Sequence, residues 1–172
     1  MLKLLIVDDE LMEREAIKSY LDWETIGIHV IGDTGSSKQA IDLVIEKQPH
    51  IVISDVKMPV MNGLEMSKKI KAINPDVKII FCSAYDEFEY VKDAINMEAF
   101  GYILKPINDE ELLRVVKNAA NKCIEEQFKS SLFSRLKKQA DNTLPLLKER
   151  YIKSIIFGES SEWEENSREL CH

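Results

Sequence analysis

Five residues of this 172-residue sequence have types and positions that could do chemistry together: Asp8, Asp9, Asp55, Ser83 and Lys105. Each follows or closes a short apolar run: LLIV before Asp8 and Asp9, IVIS before Asp55, VKIIFC before Ser83 and GYIL before Lys105. A strand interior rarely tolerates a carboxylate, so these residues belong where strands meet water. In an open parallel sheet, ligands gather beyond the carboxyl ends of the strands. Three carboxylates held there repel one another and need compensation. A hard divalent cation supplies it, and oxygen donors suit Mg2+ better than zinc. His29 and His50 fall away from this edge by strand order, and His172 is terminal. Lys105 adds a positive charge able to meet a phosphoryl group, and Ser83 a hydroxyl for another of its oxygens. A carboxylate nucleophile, Mg2+, a lysine and a hydroxyl make a phosphoryl-transfer site. The same residues would also make a salt-bridged pocket that does no chemistry.

The elements that must position them follow from the patterning. Short, near-continuous apolar runs at 4–7, 28–32, 51–54, 77–83 and 101–104 alternate with amphipathic stretches. Those stretches are Glu10 to Leu21, Ser36 to Ile45, Leu64 to Ile73, one reaching Met97, and one starting near Asn108 or Asp109. Strands buried on both faces read this way, so a parallel sheet covered by helices on both sides is expected. Pro49, Asn62-Gly63 and Asn74-Pro75 fall between elements, as breakers should. A (βα)5 domain over residues 1–121 results.

Composition narrows the class. Apolar residues make up 45% of the chain and the formal charge is -7, which supports a folded domain and argues against non-specific nucleic-acid binding. Cys82, Cys123 and Cys171 form neither zinc spacing nor a paired framework, and Cys82 reads as a core residue. The four-residue apolar run at the N-terminus is too short for a signal sequence, and no segment is long and apolar enough to span a membrane. A reducing, cytoplasmic setting is the default expectation.

The motifs VDDE at 7–10, DVKMPVMNG at 55–63, SAY at 83–85 and YILKP at 102–106 together resemble the receiver domain of two-component response regulators. The resemblance covers about residues 2–121 and implies a doubly wound, five-stranded, flavodoxin-like or CheY-like fold. It implies Asp55 as phosphoacceptor, with Asp8, Asp9, Asp55 and the backbone carbonyl of Lys57 around Mg2+. It further implies Ser83 as switch hydroxyl, Tyr102 as switch aromatic, Lys105 as phosphate sensor, and a cis Lys105-Pro106 bond. The implied partner is a sensor histidine kinase. The chain would be a phosphoacceptor rather than an enzyme, with Mg2+-dependent self-phosphorylation and slow self-dephosphorylation. Two positions depart from the usual pattern. Ser37 stands where many relatives carry glycine and is expected to alter only the start of the second helix, and Asn62 stands where aspartate is common.

YLDWETIGIHVIGD at 20–33 and LPLLKERYIKSIIFGE at 144–159 are similar to the YesN-like subgroup, whose output is an AraC-type helix-turn-helix pair. No such pair can be assigned here, so residues 122–172 read as a linker and the start of a connector, with DNA binding left to a C-terminal domain absent from this chain. Between Glu110 and Leu136 neither proline nor glycine interrupts a helical pattern. Either one helix runs beyond the domain or a second one packs after it, and a further helix is expected from Leu144 or Pro145 to just before Gly158. The apolar stripe from Leu112 to Leu136 needs a partner. A homodimer through the fourth helix, fifth strand and fifth helix, helped by this extension, is expected. Three rivals stand beside this reading. A Rossmann-type domain lacks its glycine fingerprint, since GDTG at 32–35 has the wrong spacing. A haloacid-type phosphatase would need an aspartate two residues after a first-strand nucleophile, which neither Asp8 nor Asp9 has. A phosphorylation-independent dimerisation scaffold is kept open by the helical stripe.

Overall fold

The computed structural model describes residues 1–84 and 99–157. The chain divides into two compact units, Met1–Glu125 and a second from Glu126 onward. In the first, five parallel strands form one sheet in the order β2-β1-β3-β4-β5, with β1 Leu2–Val7, β2 Ile28–Thr34, β3 Ile51–Asp55, β4 Lys78–Ser83 and β5 Gly101–Leu104. The helices are α1 Leu11–Tyr20, α2 Ser37–Lys47, α3 Gly63–Ile73 and α4 Asp109–Phe157. The fourth amphipathic stretch of the sequence, with Tyr85, falls largely at 85–98 and lies outside the described residues.

Period-two alternation sorts the core onto two faces of the sheet. Leu4, Ile6, Ile51, Ile53, Ile80, Cys82 and Ile103 pack with Ile17 of α1 and Leu112, Val116 and Ala119 of α4. Leu5, Val7, Val52, Ile79 and Phe81 pack on the other side with Ala40 and Val44 of α2 and Leu64, Met66 and Ile70 of α3. Each such fully buried aliphatic side chain contributes roughly 1.5–3 kcal/mol. This double cover explains why the strands read as unbroken apolar runs. Cys82 is wholly buried, and loss of water pushes its thiol up to about 12, so it is a core residue.

Local chemistry sets the boundaries. The Ser36 side chain accepts from the Gln39 N–H to start α2, and Asn62 accepts from the Glu65 N–H at 2.8 Å to start α3. Gln48 turns left-handed (φ 50°) ahead of Pro49 and ends α2. Asn108 accepts from Glu110 and Glu111 N–H at 2.9 and 3.1 Å and so caps the start of α4.

The C-terminal expectation needs a correction. No separate helix begins at Leu144 or Pro145; α4 continues through Pro145 to Phe157. A proline removes one backbone hydrogen bond and crowds the preceding turn, but helical neighbours on both sides carry the chain past it. The apolar stripe divides with the units. Leu112, Val116, Ala119 and Cys123 are buried in the first, whereas Phe128, Leu132 and Leu136 are exposed in the second. Among the described residues no helix is long and apolar enough to cross a membrane.

Gly63 opens α3 where a side chain has no room: a Cβ there would overlap the main-chain carbonyl oxygen of Asp55 and lie 2.9 Å from Ser54 Oγ. Because the obstacle is backbone, relief requires moving the strand end. Gly63→Ala should lower stability by about 3 kcal/mol, read from the urea midpoint, through overpacking rather than loss of helix propensity.

Candidate functional site

The strand order reverses between β1 and β3, and their carboxyl ends flank the crevice that such a reversal creates. Register then does the positioning. Ile6 pairs with Ile53 and Val7 with Ser54, so one residue further brings Asp8 opposite Asp55. Alternation puts Asp8, Asp55 and Lys105 on the same face, following Ile6, Ile53 and Ile103. Ser83 follows Phe81 on the opposite face, and the half-buried ring of Tyr102 packs there against the α2–α3 core.

Lys105 joins the two carboxylates. Its Nζ donates to Asp8 Oδ2 at 2.8 Å and lies 3.4 Å from Asp55 Oδ1. Asp8 is 1% exposed and Asp55 8% exposed. The other Asp8 oxygen accepts from the Glu10 N–H at 2.9 Å, which orders the first step out of β1. Burial pushes the Asp55 carboxyl up from an ordinary 3.8 to about 6; Lys105 opposes this and the Asp8 charge adds to it. Burial works against the Lys105 ammonium, but its bond to Asp8 and the charges of both aspartates outweigh that and hold it above the usual lysine range. Lys105 is followed by a cis peptide bond to Pro106. Its backbone N–H donates to the Ser83 carbonyl at 2.8 Å, so β4 and β5 stay paired up to the site.

The remaining sequence candidates take different places. Ser83 is buried at the end of β4, Asp9 is exposed just beyond Asp8, and Lys57 is exposed in the β3–α3 loop. Neither histidine of the folded unit is at this edge: His50 N–H donates to the Lys3 carbonyl at the opposite end of the sheet, and His29 lies near the start of β2. Among the described residues no three acidic, histidine or cysteine side chains are grouped as a metal site. Two buried, oxygen-only carboxylates sharing one ammonium nevertheless fit Mg2+, which commonly takes one or two carboxylates and keeps several waters. Lys105 supplies the compensating charge that the carboxylates require.

Two contacts escaped the sequence reading. Ser37 does more than begin α2: its Oγ donates to the Met61 carbonyl at 2.5 Å and so ties the β3–α3 loop to the neighbouring helix. In that loop the Met61 N–H reaches back to Pro59 O at 2.8 Å, and Val60 sits at φ 69°, a conformation costly for a β-branched residue. Arg14 of α1 bonds both Asp33 and the Asp8 main chain. A serine at a helix start and an arginine on an amphipathic helix carry no local mark of such partners.

Because the folded chain holds the Asp55 proton more tightly than the unfolded chain does, this group's stability contribution is lost as pH rises from about 3.8 to about 6. The displacement corresponds to about 3 kcal/mol against the ionised form. Asp55→Asn, without divalent cations, should therefore raise unfolding free energy by about 2–3 kcal/mol at pH 7.5. The gain should shrink as pH falls from 6 towards 4, measured by urea denaturation.

Comparison with known proteins agrees with this geometry. Residues 4–117 match the response regulator receiver domain model. The chain is 33% identical over 158 residues to the uncharacterized transcriptional regulatory protein YesN of Bacillus subtilis, covering 92% of this chain and 43% of that protein. It is 31% identical over 151 residues to the transcriptional regulatory protein HptR of Staphylococcus aureus, covering 88% and 58%. It thus spans about half the length of the curated relatives it matches. Among solved structures, the receiver domain of AraT, a response regulator from Geobacillus stearothermophilus, superposes with a TM-score of 0.69 at 32% identity, covering 73% of this chain and 98% of that one. A two-component transcriptional regulator AraC from Clostridium phytofermentans gives 0.67 at 29% identity, covering 75% and 99%. With the matched model extending over well more than half its length, this chain belongs to the response regulator receiver family.

Proposed function

We propose that residues 1–121 are the phospho-accepting input of a two-component transcriptional regulator, with Asp55 as acceptor and a sensor histidine kinase as donor. The observation that carries this reading is the buried Asp55 carboxylate at a strand end, facing Asp8 and within 3.4 Å of the Lys105 ammonium. An Asp55 oxygen attacks phosphorus; the bond from phosphorus to the kinase imidazole nitrogen breaks as the acyl phosphate forms, and the imidazole keeps the electron pair. Bound Mg2+ would neutralise charge on the transferring group, held by Asp8, Asp55 and, as the family resemblance implies, Asp9 and the Lys57 carbonyl. Lys105 already lies between the carboxylates and can follow the new charge by exchanging Asp8 for a phosphoryl oxygen. Ser83 is the hydroxyl for another oxygen.

Lys105 directly follows β5 and Tyr102 lies three residues earlier within it, against the opposite core. This arrangement supports Tyr102 as the aromatic that responds when Ser83 and Lys105 move. A local charge change would thereby bias two packings of the face formed by β5 and α4. Residues 122–172 would link this input to an output that is AraC-type and DNA-binding; the similarity to YesN, HptR and the Clostridium AraC protein, all transcriptional regulators, supports a transcriptional output. Exposed Phe128, Phe133 and Leu136 on α4 favour a homodimer as the transmitting form, and they also sustain a second reading as a dimerisation scaffold independent of phosphorylation.

Intact-protein mass after incubation with acetyl phosphate and Mg2+ separates the two. The chain should gain one phosphoryl group, and Asp55→Ala should gain none; absence of any gain in the wild type would leave only the scaffold. Light scattering on the same samples should show a higher dimer fraction after phosphorylation, whereas a scaffold would keep one oligomeric state throughout.

A further inference from the structure

Arg14 reaches from α1 to two other elements. Its Nε donates to Asp33 Oδ2 on β2 at 2.9 Å, and its Nη1 donates to the main-chain carbonyl of Asp8 at 2.6 Å. The side chain is only 13% exposed. Asp33 is fixed from a second side by Lys18 Nζ at 3.1 Å. Gly35 leaves the space for this arrangement, since a Cβ there would stand 3.1 Å from Arg14 Nη1, 3.4 Å from the Asp8 carbonyl oxygen and 3.5 Å from Asp9 Cα.

The Asp8 carbonyl belongs to the peptide that joins Asp8 to Asp9. One guanidinium bond therefore sets the plane of the peptide from which the second carboxylate extends. The rest of this short loop has few other anchors: Glu10, the residue before α1, makes no side-chain cap bond, and its N–H is held by Asp8 Oδ1. Asp8 is thus gripped at its carbonyl by Arg14 and at its carboxylate by Lys105 and the Glu10 amide. A guanidinium donates in two fixed directions at once, which an ammonium cannot reproduce. A partly exposed ion pair acting for stability alone would contribute little and would leave the loop's function unchanged.

We infer that Arg14, braced by Asp33, is a positioning residue that fixes the Asp8–Asp9 peptide and so determines how tightly the acidic edge takes a divalent cation. The inference rests on the reading of Asp8, Asp9 and Asp55 as a cation-assisted acceptor site. It assigns to α1 and β2 a part in that site which none of the acidic residues carries.

Mn2+ binding to the full chain, followed by the free-ion electron paramagnetic resonance signal, tests it. R14Q should weaken binding about 10-fold, in the range found for groups that orient metal ligands. R14K should recover only part of the loss, and D33N should weaken binding less than R14Q. R14Q/D33N should bind no more weakly than R14Q, because both changes cut one chain of contacts. Without metal, the Glu10 amide should exchange hydrogen faster in R14Q than in the wild type. Wild-type-like affinity and Glu10 exchange in R14Q would overturn the inference while leaving the acceptor reading intact. A wild-type chain that binds no Mn2+ would overturn both. If R14Q does not fold, D33N decides: weakened binding supports the inference and unchanged binding overturns it.

Discussion

The ammonium of Lys105 is what permits two buried carboxylates to end neighbouring strands at the centre of the sheet. Asp8 and Asp55 have almost no contact with water, and without a cation beside them each would be a strongly unfavourable group. Lys105 reaches both, but unequally, with the shorter contact to Asp8. Asp55 is the less closely held of the two by Lys105, and burial displaces its carboxyl upward. The two carboxylates are therefore held unequally: both oxygens of Asp8 are hydrogen-bonded, whereas Asp55 meets the ammonium at the longer distance.

The sheet enforces that arrangement at long range. Lys105 lies 97 residues from Asp8 in sequence, yet four parallel pairings fix where every strand ends. The same alternation that places Asp8, Asp55 and Lys105 on one face sends Ser83 and Tyr102 to the other. The edge is therefore two-sided, with charge on the α1–α4 side and the hydroxyl and aromatic ring on the α2–α3 side. Close packing at Gly63 holds the start of α3 against the Asp55 carbonyl and leaves little freedom for the end of β3 to shift.

Much of this was legible in the sequence because it depends on local signals. Double burial leaves unbroken apolar runs, and GYIL at 101–104 coincides with β5. Polar residues immediately after those runs marked the edge, and Asn62 and Asn108 announced helix starts through their own side chains. What escaped depends on partners remote in sequence. Nothing beside Arg14 indicates Asp33, and nothing beside Ser37 indicates the Met61 carbonyl. The extent of α4 escaped for a different reason. Pro145 is a strong breaker in isolation, but its penalty is one lost bond and one crowded turn, which a long helix can absorb.

Val60 carries a separate implication. Its side chain is fully exposed, so no burial offsets a backbone torsion that costs an L residue roughly 1–2 kcal/mol. The shape of the segment next to Asp55 is accordingly imposed by its surroundings, through the Pro59–Met61 turn and the serine hydroxyl of α2, rather than preferred by its own residues. Transplanted into a scaffold whose second helix offers no such hydroxyl, the same seven-residue connection would lose one of the ties that hold it taut.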